Sequence, residues 1–352
     1  MSDPSGFHRL TVAAVEPLTD DSVAITFDVP AELAEVFCFQ PGQHLTLRRV
    51  VEGEDLRRTY SVCASALTGP LRVGVKRLDG GVVSGWLVDE LRAGEVLEVL
   101  PPAGRFGPAL SPDNRKRYGL IAAGSGVTPM VAIAATALEL EPQSEVVLIL
   151  GNRTSRDVMF LEDLADLKDR FQTRFQLLHV LSREEQESEL LSGRLDRARL
   201  SRLLQSLVPV ESIDSWYLCG PFGMVTEARE VLTEAGATDV HVELFHADAP
   251  PPRPPRPAGE AGEATVTAVL HGRTSTLSMS KDGKVLDAVL AVRADAPYAC
   301  RGGVCGTCRA RVLEGEIEME TNYALEPDEL AAGVFLTCQA HPVTDSLRLE
   351  FL

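Results

Sequence analysis

The stretch Ala299-Cys300-Arg301-Gly302-Gly303-Val304-Cys305-Gly306-Thr307-Cys308, together with the later Cys338, decides the fold of the C-terminal part of this chain. Its spacing, C-x4-C-x2-C followed by a distant fourth cysteine, is the plant-type ligand pattern of a two-iron, two-sulfur cluster. Structural zinc also accepts four thiolates, but zinc sites usually pair two short cysteine hooks, and only one such hook is present. The pattern therefore predicts a 2Fe-2S cluster held by Cys300, Cys305, Cys308 and Cys338.

A proline-rich segment at 249–263 precedes this cysteine region. Its prolines disfavour helix and central strand and predict an extended spacer; a ligand for another domain is the alternative. The chain has 352 residues, a length that suggests two to three domains of about 100–150 residues each. We predict four sections: an N-terminal domain at 1–112, a second domain at 113–248, the linker at 249–263 and a domain with the cysteine pattern at 264–352.

The hydrophobic pattern before the linker changes near residue 112. The first part contains short strands separated by Gly and Pro turns, which predicts a small antiparallel barrel. The second part alternates buried strands with helices, which predicts a parallel, doubly wound sheet. The strands predicted for the barrel are Val23–Val29, Gln43–Leu47, Arg58–Val62, Leu71–Lys76 and Val96–Val99. Those predicted for the second part are Tyr118–Ala123, Val146–Leu150, Phe175–Leu181, Ser215–Leu218 and Val240–Leu244, with helices from about residue 124 to Leu140 and over Val158–Phe171.

Two motifs in the barrel predict a flavin site. Arg58-Thr59-Tyr60-Ser61 lies on a predicted strand, where an arginine can bind a phosphate and an aromatic ring two residues later shares its face. Gly80-Gly81-Val82-Val83-Ser84 places glycines before a helix start, which is a ready phosphate site. Each motif alone is weak, because these residues also recur on strands and turns by chance. Their combination predicts Arg58, Tyr60, Ser61, Gly81 and Ser84 as flavin-binding residues.

Three motifs predict a dinucleotide site in the second domain. Gly124-Ser125-Gly126-Val127-Thr128-Pro129 ends the first strand and begins a helix, where a pyrophosphate can approach the backbone. Arginine stands after the second and third strands, at Arg153 and Arg183, where an acidic residue would favour a free ribose 2′-hydroxyl. These arginines predict NADPH over NADH, and two solvated arginines are the alternative. Cys219-Gly220-Pro221 closes the fourth strand, at the edge where ligands bind.

These motifs resemble the ferredoxin–NADP reductase family, followed by a plant-type ferredoxin domain of β-grasp fold. The resemblance implies FAD, NADPH (with NADH possible) and a 2Fe-2S cluster as cofactors. It implies that Gly124, Gly126, Thr128, Pro129, Gly220 and Pro221 bind the nucleotide, and that Tyr60, Ser61, Cys219, Glu243 and Phe245 surround the reacting rings. Glu243 and Phe245 could instead only finish a strand, and Cys219 could be an inert buried cysteine. The family's activity is hydride transfer to FAD, followed by single-electron transfer to the cluster.

Within the segment Glu314–Leu325 after the cluster loop, the element Asn322-Tyr323-Ala324-Leu325 narrows this resemblance. It is similar to the reductase subunits of ring 1,2-phenylacetyl-CoA epoxidases, which implies a di-iron oxygenase as the electron acceptor and a role in phenylacetate catabolism. Reductases of steroid 9α-hydroxylases share the domain order and are the alternative within the same class. A non-enzymatic iron–sulfur redox sensor is the alternative from another class, although a sensor needs no hydride site.

Charge and composition bound the partners. The net charge of −17 disfavours nucleic acid and anionic membranes. The first residues lack a basic, apolar secretory signal, and the remaining cysteines, Cys38, Cys63 and Cys219, need no disulfide, so we expect a cytoplasmic protein. Alternating carboxylates at Glu314, Glu316, Glu318 and Glu320 would share one face of a strand beside the cluster loop. We expect this face either to dock a basic oxygenase surface or to be merely solvated.

Overall fold

The computed structural model describes residues 6–245 and 262–352. The predicted linker, 249–263, lies almost wholly outside these ranges. The chain divides into two compact units: one is formed by Arg9–Leu56 and Tyr60–Phe245, and the other contains the C-terminal described residues with Arg57–Thr59. Within the described ranges, no helix has the length and apolar character needed to cross a bilayer.

The N-terminal part of the larger unit is a six-stranded antiparallel sheet with the strand order β4-β3-β6-β1-β2-β5. A bridge between Val62 and Val73 connects the two edge strands and closes the sheet into a barrel. Alternate residues such as Ile25, Leu45 and Val73 fill its interior. The elements are β1 (His8–Thr19), β2 (Ser22–Asp28), β3 (His44–Val51), β4 (Glu54–Ser61), β5 (Arg72–Lys76), α1 (Val82–Asp89) and β6 (Val96–Val99).

The second part of this unit is a five-stranded parallel sheet in the order β11-β10-β7-β8-β9. From β7 the chain adds β8 and β9 on one side of the sheet and then β10 and β11 on the other side. This reversal of strand order creates a crevice at the carboxyl ends of β7 and β10. One face of the sheet, with Leu120, Leu148 and Tyr217, packs with α2, α3 and barrel residues in a shared core. The elements are β7 (Arg117–Ala123), α2 (Val127–Leu140), β8 (Glu145–Asn152), α3 (Leu161–Arg170), β9 (Phe175–Leu181), α4 (Arg197–Ser206), β10 (Ser215–Cys219), α5 (Phe222–Glu234) and β11 (Val240–Glu243).

The C-terminal unit contains a mixed five-stranded sheet in the order β13-β12-β18-β14-β16 and a two-stranded sheet of β15 and β17. The parallel pair β12–β18 lies at the centre, and α6 packs Val285 and Val289 onto the sheet's apolar face. The elements are β12 (Glu263–Leu270), β13 (Arg273–Ser280), α6 (Val285–Leu290), β14 (Arg309–Glu314), β15 (Ile317–Met319), α7 (Pro327–Ala331), β16 (Val334–Leu336), β17 (Ala340–Pro342) and β18 (Ser346–Phe351).

The predicted fold class is confirmed in all three parts: antiparallel barrel, doubly wound parallel sheet and ferredoxin-type C-terminal domain. One barrel strand was missed. β1 is the longest strand of the barrel, but its register shifts between Val12 and Ala14 and again between Pro17 and Thr19. These irregularities interrupt the alternation of buried and exposed residues from which a strand is recognised.

Candidate flavin, nucleotide and iron–sulfur sites

The barrel and the parallel sheet meet where β4 and β11 end. The Ser61 hydroxyl, on the last residue of β4, donates a hydrogen bond to Glu243 Oε2 at 3.1 Å. Glu243 is the last residue of β11 and stands beside Cys219 of β10 in the parallel register. Three of the predicted residues, from distant parts of the sequence, therefore converge at one place.

This junction is a nearly uncharged site. Burial raises the pKa of Glu243 to about 8, although the hydrogen bond from Ser61 opposes the shift. Burial, reinforced by the neighbouring Glu243 charge, raises the pKa of the Cys219 thiol far above its usual range. At neutral pH both groups are therefore protonated and uncharged. A flavin ring bound here would gain negative charge on reduction without a carboxylate or thiolate beside it to oppose that charge.

The other residues predicted near the flavin differ in exposure. Tyr60 is half-buried and packs against the barrel core, while Ser61 is fully buried. Arg58 shares the face of Tyr60 on β4 and is exposed, and its guanidinium donates to the Arg57 carbonyl at 2.8 Å. Phe245 is also exposed, at the end of the described range. An exposed cation and a half-buried ring on one strand face suit a phosphate and a stacked flavin ring.

The turn before α1 is held by Ser84. The Ser84 hydroxyl accepts from the Leu78 N–H at 3.2 Å and donates to the Gly81 carbonyl at 3.3 Å. Gly81 is the N-cap residue of α1, so the free N–H groups of the first helical turn follow it. Ser84 thus shapes the helix start, which can receive a phosphate on its backbone N–H groups.

The predicted pyrophosphate loop lies at the reversal of strand order. Gly124–Gly126 forms a 3-10 turn between β7 and α2, and Gly126 approaches the end of β10 so closely that a Cβ would overlap the Cys219 carbonyl. The Thr128 hydroxyl donates to the Ser125 carbonyl at 3.0 Å, and Pro129 is buried in the first turn of α2. Gly220 and Pro221 connect β10 to α5 across the same crevice. The loop is therefore built for close backbone approach, as a pyrophosphate requires.

The two predicted selectivity arginines are adjacent. The backbone N–H of Arg183 donates to the carbonyl of Arg153 at 2.7 Å, and both side chains are exposed. Sequence reasoning missed a third residue at this edge, Glu184, whose carboxylate accepts from the N–H and the hydroxyl of Ser155 at 2.8 and 2.9 Å. Two exposed arginines suit a 2′-phosphate, whereas Glu184 places a competing anion beside them.

The four predicted cluster ligands form two contacting pairs. The Cys300 thiol is hydrogen-bonded to Cys305, and Cys308 to Cys338. Among the described residues, no group of three or more His, Cys, Asp or Glu side chains is arranged around a single metal position. Two thiol pairs match one pair per iron of a binuclear cluster, so the donor set fits a 2Fe-2S cluster.

The loop favours a thiolate at one cysteine of each pair, whereas the hydrogen bond to that partner, together with burial, raises the pKa of the other cysteine, Cys305 or Cys308, well above its usual range. The Gly302 N–H donates to Cys300 Sγ at 3.3 Å. The hydrogen bond from Cys305 and those from backbone N–H groups lower the pKa of Cys300 to about 5. The pKa of Cys338 is also lowered, first by the bond from Cys308 and also by the Gln339 side chain. Gln339 was not predicted as a site residue. The sequence shows only that it follows the ligand Cys338, and does not show which groups its side-chain amide contacts.

The prediction of one acidic strand face beside the loop is wrong. Glu314 ends β14, Gly315 turns the chain with φ +90°, and Glu316 and Glu318 belong to the neighbouring two-stranded sheet or its entry. Glu320 is engaged internally: its carboxylate lies 2.8 Å from His341 Nε2 and 3.3 Å from Lys284 Nζ. All four glutamates are exposed residues, but they are divided between two sheets and the segments beside them, so they do not form one strand face.

Comparison with protein families assigns three domains in this order. Residues 9–107 match the oxidoreductase FAD-binding domain, residues 120–230 the oxidoreductase NAD-binding domain, and residues 268–343 the 2Fe-2S iron-sulfur cluster binding domain. FAD, a nicotinamide nucleotide and a 2Fe-2S cluster are therefore the cofactors to which these domains correspond.

Curated relatives and solved structures share the whole arrangement. A subunit of the 1,2-phenylacetyl-CoA epoxidase from Escherichia coli is 46% identical over 98% of both chains. The ferredoxin reductase component of 3-ketosteroid-9-alpha-monooxygenase from Rhodococcus rhodochrous is 36% identical over 97% of this chain and 96% of its own. Phthalate dioxygenase reductase, at 23% identity, covers 99% of this chain and 100% of its own with a TM-score of 0.60, which shows the common fold.

Proposed function

The chain belongs to the FAD- and 2Fe-2S-containing reductase components of multicomponent oxygenases, and from this premise we propose that its electron acceptor is a phenylacetyl-CoA epoxidase. The observation that carries the proposal is the 46% identity to one of the chains of such an epoxidase over nearly the full length of both. The steroid reductase component, at 36%, is more distant and makes the alternative acceptor less well supported.

The chain is an NAD(P)H-dependent oxidoreductase that delivers electrons to an oxygenase. Bound FAD supplies the change from hydride to single electrons, and the 2Fe-2S cluster carries these electrons onward. We assign Tyr60 to stacking on the flavin, and Arg58 and the α1 start after Gly81 to its phosphates. Glu243 holds its proton near neutral pH, with Oε2 bonded to Ser61, and so keeps the reacting site free of negative charge.

The nucleotide that fits best is NADPH. Gly124, Gly126 and the start of α2 are assigned to the pyrophosphate, since their backbone is accessible at the reversal of strand order. Arg153 and Arg183 are assigned to the ribose 2′-phosphate because their backbones are hydrogen-bonded and their side chains are exposed, just after β8 and β9 respectively. Cys219 and Phe245 are assigned to the nicotinamide side of the flavin.

The remaining assignments concern the ligands, domain limits and location. Cys300 with Cys305 and Cys308 with Cys338 are the proposed iron ligands, supported by their two contacting pairs. We propose the domain limits 1–112, 113–248 and 264–352; the family matches at 9–107, 120–230 and 268–343, which lie inside these ranges, support them. We propose a cytoplasmic location. The support is that the relative's name includes phenylacetyl-CoA, and coenzyme A esters are substrates found inside cells.

The test compares two acceptors with one reductase. Purified protein is supplied with NADPH and mixed either with the oxygenase component of phenylacetyl-CoA epoxidase or with that of 3-ketosteroid 9α-hydroxylase, and oxygenated product is counted per NADPH consumed. Ferricyanide reduction in the same preparation confirms that the reductase is active. Product with the epoxidase and little with the hydroxylase supports the proposal; the reverse preference would assign the chain to the steroid system.

A further inference from the structure

Gln339, which follows the fourth cysteine, holds its side-chain amide against the proposed cluster ligands. The residue is 2% exposed. Its Nε2 lies 2.8 Å from the Arg301 carbonyl, 2.9 Å from the Cys338 carbonyl and 3.4 Å from Cys338 Sγ. Carbonyl oxygens can accept only from the nitrogen end of the amide, so its two N–H groups face the two carbonyls, and the sulfur of Cys338, at the longer distance of 3.4 Å, shares an N–H with one of them.

The other end of the same amide is fixed by Thr321. The Thr321 hydroxyl donates to Gln339 Oε1 at 2.9 Å, and this bond opposes rotation of the amide about its last torsion. Gly303 of the cysteine loop packs onto both residues: a Cβ there would lie 3.1 Å from Gln339 Cγ and 3.2 Å from Thr321 Oγ1. Gln339 and Thr321 therefore form one packed unit with the loop.

The amide also links the two halves of the cysteine set. Arg301, whose carbonyl accepts from Gln339, follows Cys300 and has a φ of +54°, a conformation that non-glycine residues rarely adopt. The hydrogen bond from Gln339 holds that carbonyl turned inward. Because the same nitrogen contacts Cys338 Sγ, one side chain connects the residue next to a ligand of the first thiol pair with a ligand of the second.

The segment identified in the sequence as most specific keeps Thr321 in place. The Glu320 N–H donates to the Gln339 carbonyl at 3.0 Å, and the Tyr323 N–H to the Gly303 carbonyl at 3.2 Å. Within the segment, Asn322 Oδ1 accepts from the Leu325 N–H at 2.9 Å and Asn322 Nδ2 donates to the Leu325 carbonyl at 3.0 Å. The segment is therefore a clamp across the cysteine loop.

We propose that Thr321 and Gln339 are a positioning pair that directs an amide N–H at Cys338 and raises the reduction potential of the 2Fe-2S cluster. Reduction adds negative charge that spreads onto the sulfur ligands, and a hydrogen-bond donor stabilises this charge more in the reduced than in the oxidised state. The inference rests on the proposed ligand set but not on the identity of the oxygenase.

The test uses three substitutions in the full-length protein with its cofactors: Gln339→Leu, which removes the donor at similar volume; Thr321→Val, which removes the orienting hydroxyl; and Thr321→Ser, which keeps it. The readouts are 2Fe-2S absorbance per chain, the electron paramagnetic resonance spectrum of the reduced cluster and its midpoint potential. The flavin potential of the same molecule is the internal control.

We expect Gln339→Leu to lower the equilibrium constant for cluster reduction about tenfold, which is about 59 mV for a one-electron couple. Thr321→Val should lower the cluster potential by a smaller amount and alter the electron paramagnetic resonance spectrum of the reduced cluster. Thr321→Ser should match the wild type. The flavin potential should be the same in all variants. Unchanged cluster potentials in fully loaded Gln339→Leu and Thr321→Val would overturn the proposal.

Two other outcomes are also decisive. If Gln339→Leu does not retain its cluster, the fully loaded Thr321→Val variant decides the question; loss of the cluster in both would show that the pair only retains it, which overturns a role in potential. Failure of the ligand assignment itself has a separate signature, because Cys308→Ser would then keep the wild-type absorbance and resonance spectrum.

Discussion

The Ser61 hydroxyl and the Glu243 carboxyl meet at 3.1 Å, and this bond joins the last residue of a barrel strand to the last residue of the parallel sheet. The two residues are 182 positions apart in the sequence. Their meeting places an acid with a pKa raised to about 8 at the junction of the proposed flavin and nucleotide sites.

This raised pKa predicts how flavin reduction depends on pH. Below pH 8, Glu243 is protonated and neutral; above it, the carboxylate forms and opposes the gain of negative charge by the flavin. We expect the rate of flavin reduction by NADPH to fall as the pH rises through about 8, and Glu243→Gln to abolish this dependence. Stopped-flow absorbance on both sides of this pKa measures it. A Gln variant with the wild-type profile would show that another group titrates.

The paired backbones of Arg153 and Arg183 predict nucleotide selectivity. Replacing either arginine with alanine should raise the Km for NADPH about tenfold, as expected for the loss of a charged hydrogen bond, and change that for NADH little. Glu184→Gln is the opposing variant: it keeps a hydrogen-bond acceptor for Ser155 but removes a negative charge, so the Km for NADPH should fall. Equal effects on both nucleotides would reject the 2′-phosphate assignment.

The sequence predicted the fold more fully than the arrangement of the site. Strands β6 and β9 were predicted with their observed limits, because buried parallel or barrel strands carry strong local patterns. Glu184 and Gln339 could not be identified, since their importance depends on contacts with Ser155 and Arg301 that only the folded chain brings close. Likewise, Glu320 belonged to a run of alternating carboxylates, and nothing local showed that His341 and Lys284 would bind it. The roles assigned to the site residues remain predictions.

The contact between Gly126 and the end of β10 predicts a sharp difference between two glycines. Gly126→Ala should lower the free energy of unfolding by about 1–3 kcal/mol, because the added methyl overlaps the Cys219 carbonyl. Gly85→Ala, in α1, is the matched control: nothing lies within 4 Å of its Cβ position, and alanine should stabilise the helix by about 0.5–1 kcal/mol. Urea unfolding followed by circular dichroism measures both changes. An unchanged or raised free energy of unfolding in Gly126→Ala would show that the loop accommodates the added methyl and that the overlap is not destabilising.

The exposed carboxylates Glu316 and Glu318 make a prediction about the oxygenase. Both lie in the C-terminal unit after the cysteine loop. Glu320 is left unchanged in this test, because its carboxylate binds His341 and Lys284 and its replacement would also disturb those contacts. If the pair steers a basic partner, the rate of oxygenase reduction should fall as ionic strength rises, and Glu316→Lys with Glu318→Lys should slow it about tenfold or more at low salt. The effect should vanish near 1 M salt, where the Debye length is about 3 Å.

A control with the same charge change separates local docking from net charge. Asp166→Lys with Asp169→Lys alters two exposed positions on α3 of the nucleotide-binding part and leaves the C-terminal unit unchanged. Stopped-flow mixing of prereduced reductase with oxidised oxygenase measures each rate from low to high salt. The control pair should remain close to wild type, because steering depends on charge near the contact rather than on the total of −17. Equal slowing by both pairs would mean that net charge alone governs association, and that the acidic surface beside the cluster is only solvated.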